Sequence, residues 1–115
     1  MKAMQAALSM GVDPDRAADY LRQCTDIVES SQYVATLRGN TVHIAAQVNG
    51  LGGRALLKEC RATLTRWFET HSILYAPVRT NNERALPFVE ALGFKRYAMD
   101  NTHIWLLQTK EQFHA

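Results

Sequence analysis

Three glycines fall within four positions at Gly50-Leu51-Gly52-Gly53, between a strand-like run and the most regular amphipathic stretch of the chain. Glycine lets a backbone turn sharply and lets another group approach without a Cβ in the way. Ahead of the glycines, Val42-His43-Ile44-Ala45-Ala46-Gln47-Val48 has strand character, so the chain must pass from strand directly into helix. That helix reads over roughly 53–71. Leu56, Leu57, Cys60, Leu64, Trp67, Phe68 and His71 form one stripe, while Arg54, Lys58, Glu59, Arg61 and Arg66 lie largely off it.

Such a junction offers several amide N–H groups at the positive end of a helix dipole, which suits a pyrophosphate or another anion. The alternative is a tight strand-to-helix turn that binds nothing. The segment is not a Walker loop, since no Lys-Ser/Thr follows. It also departs from GxGxxG, because Ala55 stands three positions after Gly52.

The remaining elements read in order. Residues 2–10 suit a short helix stopped by Gly11. Asp13-Pro14-Asp15 is a helix start, with Asp13 as cap and Pro14 at the first position. Ala17, Ala18, Leu21, Cys24 and Val28 then predict a helix over roughly 14–29. Tyr33–Arg38 is rich in strand formers, Gly39-Asn40 is a turn signal, and with 42–48 it makes a hairpin. Ile73–Val78 is a strand interrupted by Pro77, which cannot donate to a neighbour. Asn81 or Asn82 caps a short helix carrying Ala85, Leu86, Val89 and Leu92, ended by Gly93, with Pro87 about five residues in. Two strands, 95–99 and 102–108, close the chain around a turn at Asp100-Asn101. The order ααββαβαββ is that of an α+β fold, a mixed sheet flanked by helices around one core, in a single domain over 1–115.

Composition narrows the function classes. Thirteen basic against eleven acidic residues leave a net charge of +2, too little to argue for nucleic acid or an anionic membrane. No apolar run approaches the roughly 18 residues of a membrane span, and the first residues lack a secretory signal, so the chain reads as cytoplasmic. Cys24 and Cys60 lie 36 positions apart and read as two buried free thiols unless the fold brings them together. His43, His71, His103 and His114 are too scattered for a sequence-local metal site.

Residues 41–57, Thr-Val-His-Ile-Ala-Ala-Gln-Val-Asn-Gly-Leu-Gly-Gly-Arg-Ala-Leu-Leu, resemble the central strand, pyrophosphate loop and following helix of the GNAT superfamily of acetyl-CoA-dependent N-acetyltransferases. Gln47 through Gly52 satisfies that family's Q/R-x-x-G-x-G/A signature. Residues 82–94 resemble its N-x-x-A…GF helix, with strand 73–78 where the family's fifth strand belongs. The resemblance covers roughly 33–108, and it is nearest to the shorter GNAT-like proteins of tailed bacteriophages. It implies a compact GNAT-like fold without the family's first strand. It implies acetyl-CoA as cofactor, held by Gln47, Asn49, Gly50, Leu51, Gly52, Gly53 and Arg54, with Asn82 near the pantetheine arm. It implies an amine-bearing substrate, no metal, and a location in the host cytoplasm or the virion. Arg54, Arg61 and Arg66 are then either a solvated face or a contact for the adenosine 3′-phosphate.

Two departures bear on chemistry. The family commonly places an acid Tyr seven residues after the Asn; here that position is Val89, beside Phe88. The loop ahead of the glycines is also short, Gln47 still reading as strand. His43 is the nearby residue with the natural pKa of a general base, its alternative being a hydrogen-bonded structural histidine. Glu83 and Glu90 are weaker candidates acting through water, and Tyr33, Tyr75 and Tyr97 are candidates for the missing acid. The competing expectation is an inactive GNAT-like structural or virion-associated binding protein. Trp67-Phe68 reads as core. The apolar run Ile104–Leu107 reads as a strand covered on both faces, by a helix or, as in many GNAT-like proteins, by a second copy in a homodimer.

Overall fold

The computed structural model describes residues 13–30, 33–46 and 54–115. These form four helices and six strands, so the chain is α+β. It divides into two compact units, Met1–Asn49 and Gly50–Ala115. The helix expected over 2–10 and the glycine-rich segment lie outside the described residues.

In the first unit, helix α1 spans Pro14–Gln23, opened as its sequence dictates: the Asp13 carboxylate accepts from the Asp15 amide at 2.9 Å. The helix does not reach residue 29. Cys24 is extended, and the amide and hydroxyl of Thr25 both donate to the Leu37 carbonyl, at 2.7 and 3.0 Å. Asp26–Glu29 is strand β1, paired antiparallel with β2, Tyr33–Arg38. The β-branched Thr25, Ile27 and Val28 are stiff in a helix and suit a pleated surface. A strand therefore precedes residue 33, where the sequence reading places none, and the described order becomes αβββαβαββα.

Strand β3, Thr41–Ala46, follows across the Gly39-Asn40 turn and pairs antiparallel with β2. Gly39 has φ +63° and no described non-glycine residue has positive φ, the pattern of a two-residue turn with glycine first. Register puts Ile27, Val34, Thr36, His43 and Ala45 on one face. Leu21 of α1 packs there with Val34, Ile27 and Ala45. Tyr33, Ala35, Leu37 and Val42 are buried on the opposite face.

The second unit opens with α2, Arg54–Phe68, whose buried stripe is Leu56, Cys60, Thr63, Leu64, Trp67 and Phe68. Leu57 is only half-buried, and His71 lies past the helix end with Nδ1 3.0 Å from the Trp67 carbonyl oxygen. Trp67 and Phe68 are core, as their spacing implies. Strands β4 (Ile73–Arg79), β5 (Lys95–Met99) and β6 (His103–Thr109) form a sheet in which β6 pairs antiparallel with both others. Leu74, Ala76 and Val78 stand opposite Gln108, Leu106 and Ile104, and this face is buried. The run Ile104–Leu107 is thus buried on one face rather than both. Trp105 and Leu107 point the other way and are half-buried, because alternation sends successive side chains to opposite faces.

Helix α3, Ala85–Ala91, links β4 to β5. Since it begins at Ala85, Pro87 falls in the first turn, where its missing amide has no intrahelical partner to lose. The helix closes at Gly93, φ +107°, and the buried Phe94 donates its amide to the Val89 carbonyl at 3.4 Å. Arg61 of α2 donates to the Ala91 carbonyl at 3.3 Å, while Arg54 and Arg66 are exposed. The last turn, α4 (Lys110–His114), is held by a capping box between Thr109 and Gln112, and its Phe113 stacks on Phe68 with ring centres 4.9 Å apart. Among the described residues, no helix is long and apolar enough to cross a membrane.

Candidate functional site

His43 sits mid-strand on β3, opposite Thr36 of β2, and is exposed. α1 crosses this face and carries Tyr20 to it. The Tyr20 hydroxyl lies 2.8 Å from His43 Nδ1 and 3.0 Å from Thr36 Oγ1. The two rings meet edge-on, centres 5.6 Å apart at 87°. The Arg38 guanidinium stands 5.8 Å from the Tyr20 ring centre. Burial pushes the Tyr20 phenol above its ordinary value, against the Thr36 contact, which pulls it down. Burial likewise raises the Cys24 thiol, which donates to the Tyr20 carbonyl at 3.4 Å.

No motif in the sequence singles out Tyr20, although its helical spacing does carry a signal. It stands three positions after Ala17 and four before Cys24, on the helix flank adjoining the apolar stripe. A helix read to residue 29 hid the sheet that this flank faces.

The residues expected to hold a cofactor are distributed differently. Gln47, Asn49, Gly50, Leu51, Gly52 and Gly53 lie outside the described residues. Arg54 opens α2, exposed, and the first turn of that helix contains no acidic residue. A guanidinium at the positive end of a helix dipole attracts anions. Asn82 is exposed, and its Oδ1 accepts the Ala85 amide at 3.3 Å, so it caps the turn before α3 and leaves the carboxamide nitrogen as its donor group.

Neither Phe88 nor Val89 faces a solvent-filled site: both are buried on α3. Glu90 forms a two-pronged ion pair with Arg96, both contacts 3.1 Å, which engages its carboxylate. Glu83 is exposed. Of the tyrosines considered as acids, Tyr33 is buried in β2, while Tyr75 and Tyr97 meet each other with ring centres 6.0 Å apart. Among the described residues, no group of three or more His, Cys, Asp or Glu is gathered as a metal ion requires. Cys24 and Cys60 are free thiols, Cys60 buried and Cys24 half-buried.

Comparison of the chain with protein-family models, with curated proteins and with solved structures gave no match.

Proposed function

We propose that the chain is a GNAT-like domain that binds acetyl-CoA and transfers the acetyl group to an amine. The observation that carries the reading is the form of the second motif: a short helix between β4 and β5, preceded by a turn in which Asn82 accepts the Ala85 amide and closed by Gly93, with Phe94 buried. The acid-free first turn of α2 behind Arg54 supports it from the other motif. When bound, acetyl-CoA supplies a thioester carbonyl for attack. Arg54, the loop amides around Gly50–Gly53 and the start of α2 would hold its diphosphate, with Asn82 beside the pantetheine arm. His43 would take the proton of the attacking amine, the role its natural pKa range suits. Calorimetric titration with acetyl-CoA tests this: heat that saturates, and that Gly52→Glu abolishes, is expected. No heat at near-millimolar cofactor would sink it.

A second reading is favoured by one observation. Val89 and Phe88 are buried and have no acidic proton, so neither offers an acid to the departing thiolate. This supports a GNAT-like binding or structural protein, virion-associated if phage-encoded, without turnover. Acetyl transfer above the background hydrolysis of acetyl-CoA, lost in Gly52→Glu, would eliminate it.

A further inference from the structure

We infer that the outer face of strands β4, β5 and β6 is a docking surface for single-stranded DNA, its aromatic rings stacking on bases and its cations meeting phosphates. Alternation buries one face of β4 and β6 and leaves the other half-buried. Tyr75 of β4, His103 and Trp105 of β6 and Tyr97 of β5 stand on that outer face. β6 pairs with both other strands, so the Tyr75 and Tyr97 rings, with centres 6.0 Å apart at 63°, meet over it. A register shift between Arg96 and Ala98 leaves Tyr97 with no opposite residue on β6. Such a bulge re-aims a side chain, and Tyr97 is 52% exposed. His103 and Trp105 lie ring against ring at a tilt, centres 5.3 Å apart at 36°. All three strands thus contribute rings to one surface.

The charge on this surface has one sign. The three strands contain no Asp or Glu. Arg79 stands opposite His103 and Lys95 opposite Leu107, which puts both on the outer face, and both are exposed. Arg96 is already paired with Glu90. Asp100, in the turn between β5 and β6, has its carboxylate held by the Thr102 and His103 amides, the Thr102 hydroxyl and the Trp105 indole. The net charge of the whole chain is no reason to expect nucleic acid, but its distribution is. Residues 50–115 carry nine basic and six acidic side chains, against four and five in residues 1–49.

These features select the occupant. A second copy of the chain would bring Arg79 and Lys95 against like charges, with no acid on the strands to meet them. An acidic peptide would satisfy the cations and leave the rings unused. A single nucleic-acid strand uses both, since every base has a π-face for stacking and its backbone is a polyanion. Pro77, Ala98 and Leu107 on the same face are apolar and suit the thymine methyl group, which uracil lacks.

The test is fluorescence anisotropy of a labelled oligothymidylate of about twelve nucleotides, titrated with the full chain. Quenching of the chain's own emission locates the contact: Trp67 is 2% exposed, so a quench reports Trp105. Binding is expected to saturate and to weaken as salt rises, with a log–log slope of about −1.4 for two phosphate contacts. Tyr97→Ala should weaken it about tenfold or more with unchanged circular dichroism. Arg79→Gln combined with Lys95→Gln should flatten the salt slope. Oligouridylate of the same length should bind more weakly. No binding by the wild type at low salt and near-millimolar concentration overturns the proposal. So does affinity that Tyr97→Ala leaves unchanged, or equal affinity for a duplex of the same length. Oligouridylate bound as tightly as oligothymidylate overturns the choice of DNA. Displacement of the oligonucleotide by polyglutamate or by anionic vesicles at matched charge would reveal a surface for acidic peptides or membranes, and overturns it as well. None of these outcomes depends on acetyl-CoA.

Discussion

A Cβ built on Gly93 would lie 2.3 Å from Nε2 of Gln108 and 3.1 Å from its Cδ, so the end of α3 meets β6 with no room for a side chain. Gly93 also holds φ +107°, a conformation that other residues adopt only under strain. The closing turn of the Asn82–Phe94 segment therefore depends on this residue twice, once for its backbone and once for its neighbour.

Gly93→Ala should cost about 3 kcal/mol, combining backbone strain with displacement of a buried side chain. Gly39→Ala is the matched control. Its φ is +63°, but nothing lies within 4 Å of the added Cβ, so only the left-handed conformation is penalised, at about 1 kcal/mol. Urea unfolding of both variants measures the difference, and equal losses would show that the Gln108 contact yields freely.

Gln108 is 3% exposed, and its Oε1 has no hydrogen-bond partner among the described residues. An orphaned buried acceptor costs about 1–3 kcal/mol, so replacement by an apolar side chain of similar size removes a penalty. Gln108→Met is expected to leave stability unchanged or raise it by about 1 kcal/mol. A higher denaturation midpoint checks this; a clear drop would mean that the carbonyl is satisfied in solution.

The turn between β5 and β6 is held by one carboxylate. Asp100 accepts from the amides of Thr102 and His103, the Thr102 hydroxyl and the indole of Trp105. The two backbone amides do most to hold its pKa far below the usual carboxylate range. A folded pKa below the unfolded one stabilises at pH above the unfolded value, and that contribution fades as pH falls towards the folded one. Stability should therefore decline from about pH 4 downward, and Asp100→Asn should remove that part of the slope. Thermal melts of both proteins between neutral and strongly acid pH provide the measurement.

Cys60 is 1% exposed, and burial pushes its thiol up to about 12. The thiolate is the reactive form, so Cys60 should resist alkylation in the folded protein at neutral pH and react only as the unit opens. Cys24, half-buried and less shifted, should react first. Mass spectrometry of time-resolved labelling would show the order, and prompt modification of Cys60 would contradict the burial argument.

Much of the fold was legible because its signals are local. The Asp13-Pro14 start, the Gly39-Asn40 turn, the stripe of α2, the strand at 73–79 and the glycine closing α3 each rest on residues a few positions apart. The capping box from Thr109 to Gln112 is equally local and starts α4, an element absent from the order ααββαβαββ. Residues 26–29 are ambiguous in sequence for a different reason. Val28 continues a helical spacing, while Ile27 and Val28 also fit a strand, and only pairing with β2 chooses between them.

The candidate site divides along the same line. His43 is legible in the sequence from its residue type, and Asn82 from its spacing to Gly93 and Phe94. Tyr20 lies 23 positions before His43 and carries no motif with it. The α+β class, the helix caps and the turn glycines were thus determined by the sequence itself, through interactions within three or four residues. The end of α1, the closeness of Gly93 to Gln108 and the line from Thr36 through Tyr20 to His43 were decided by tertiary structure. Their partners are distant in the chain, and only the register of strands and the seating of α1 on its sheet bring their atoms within hydrogen-bonding range.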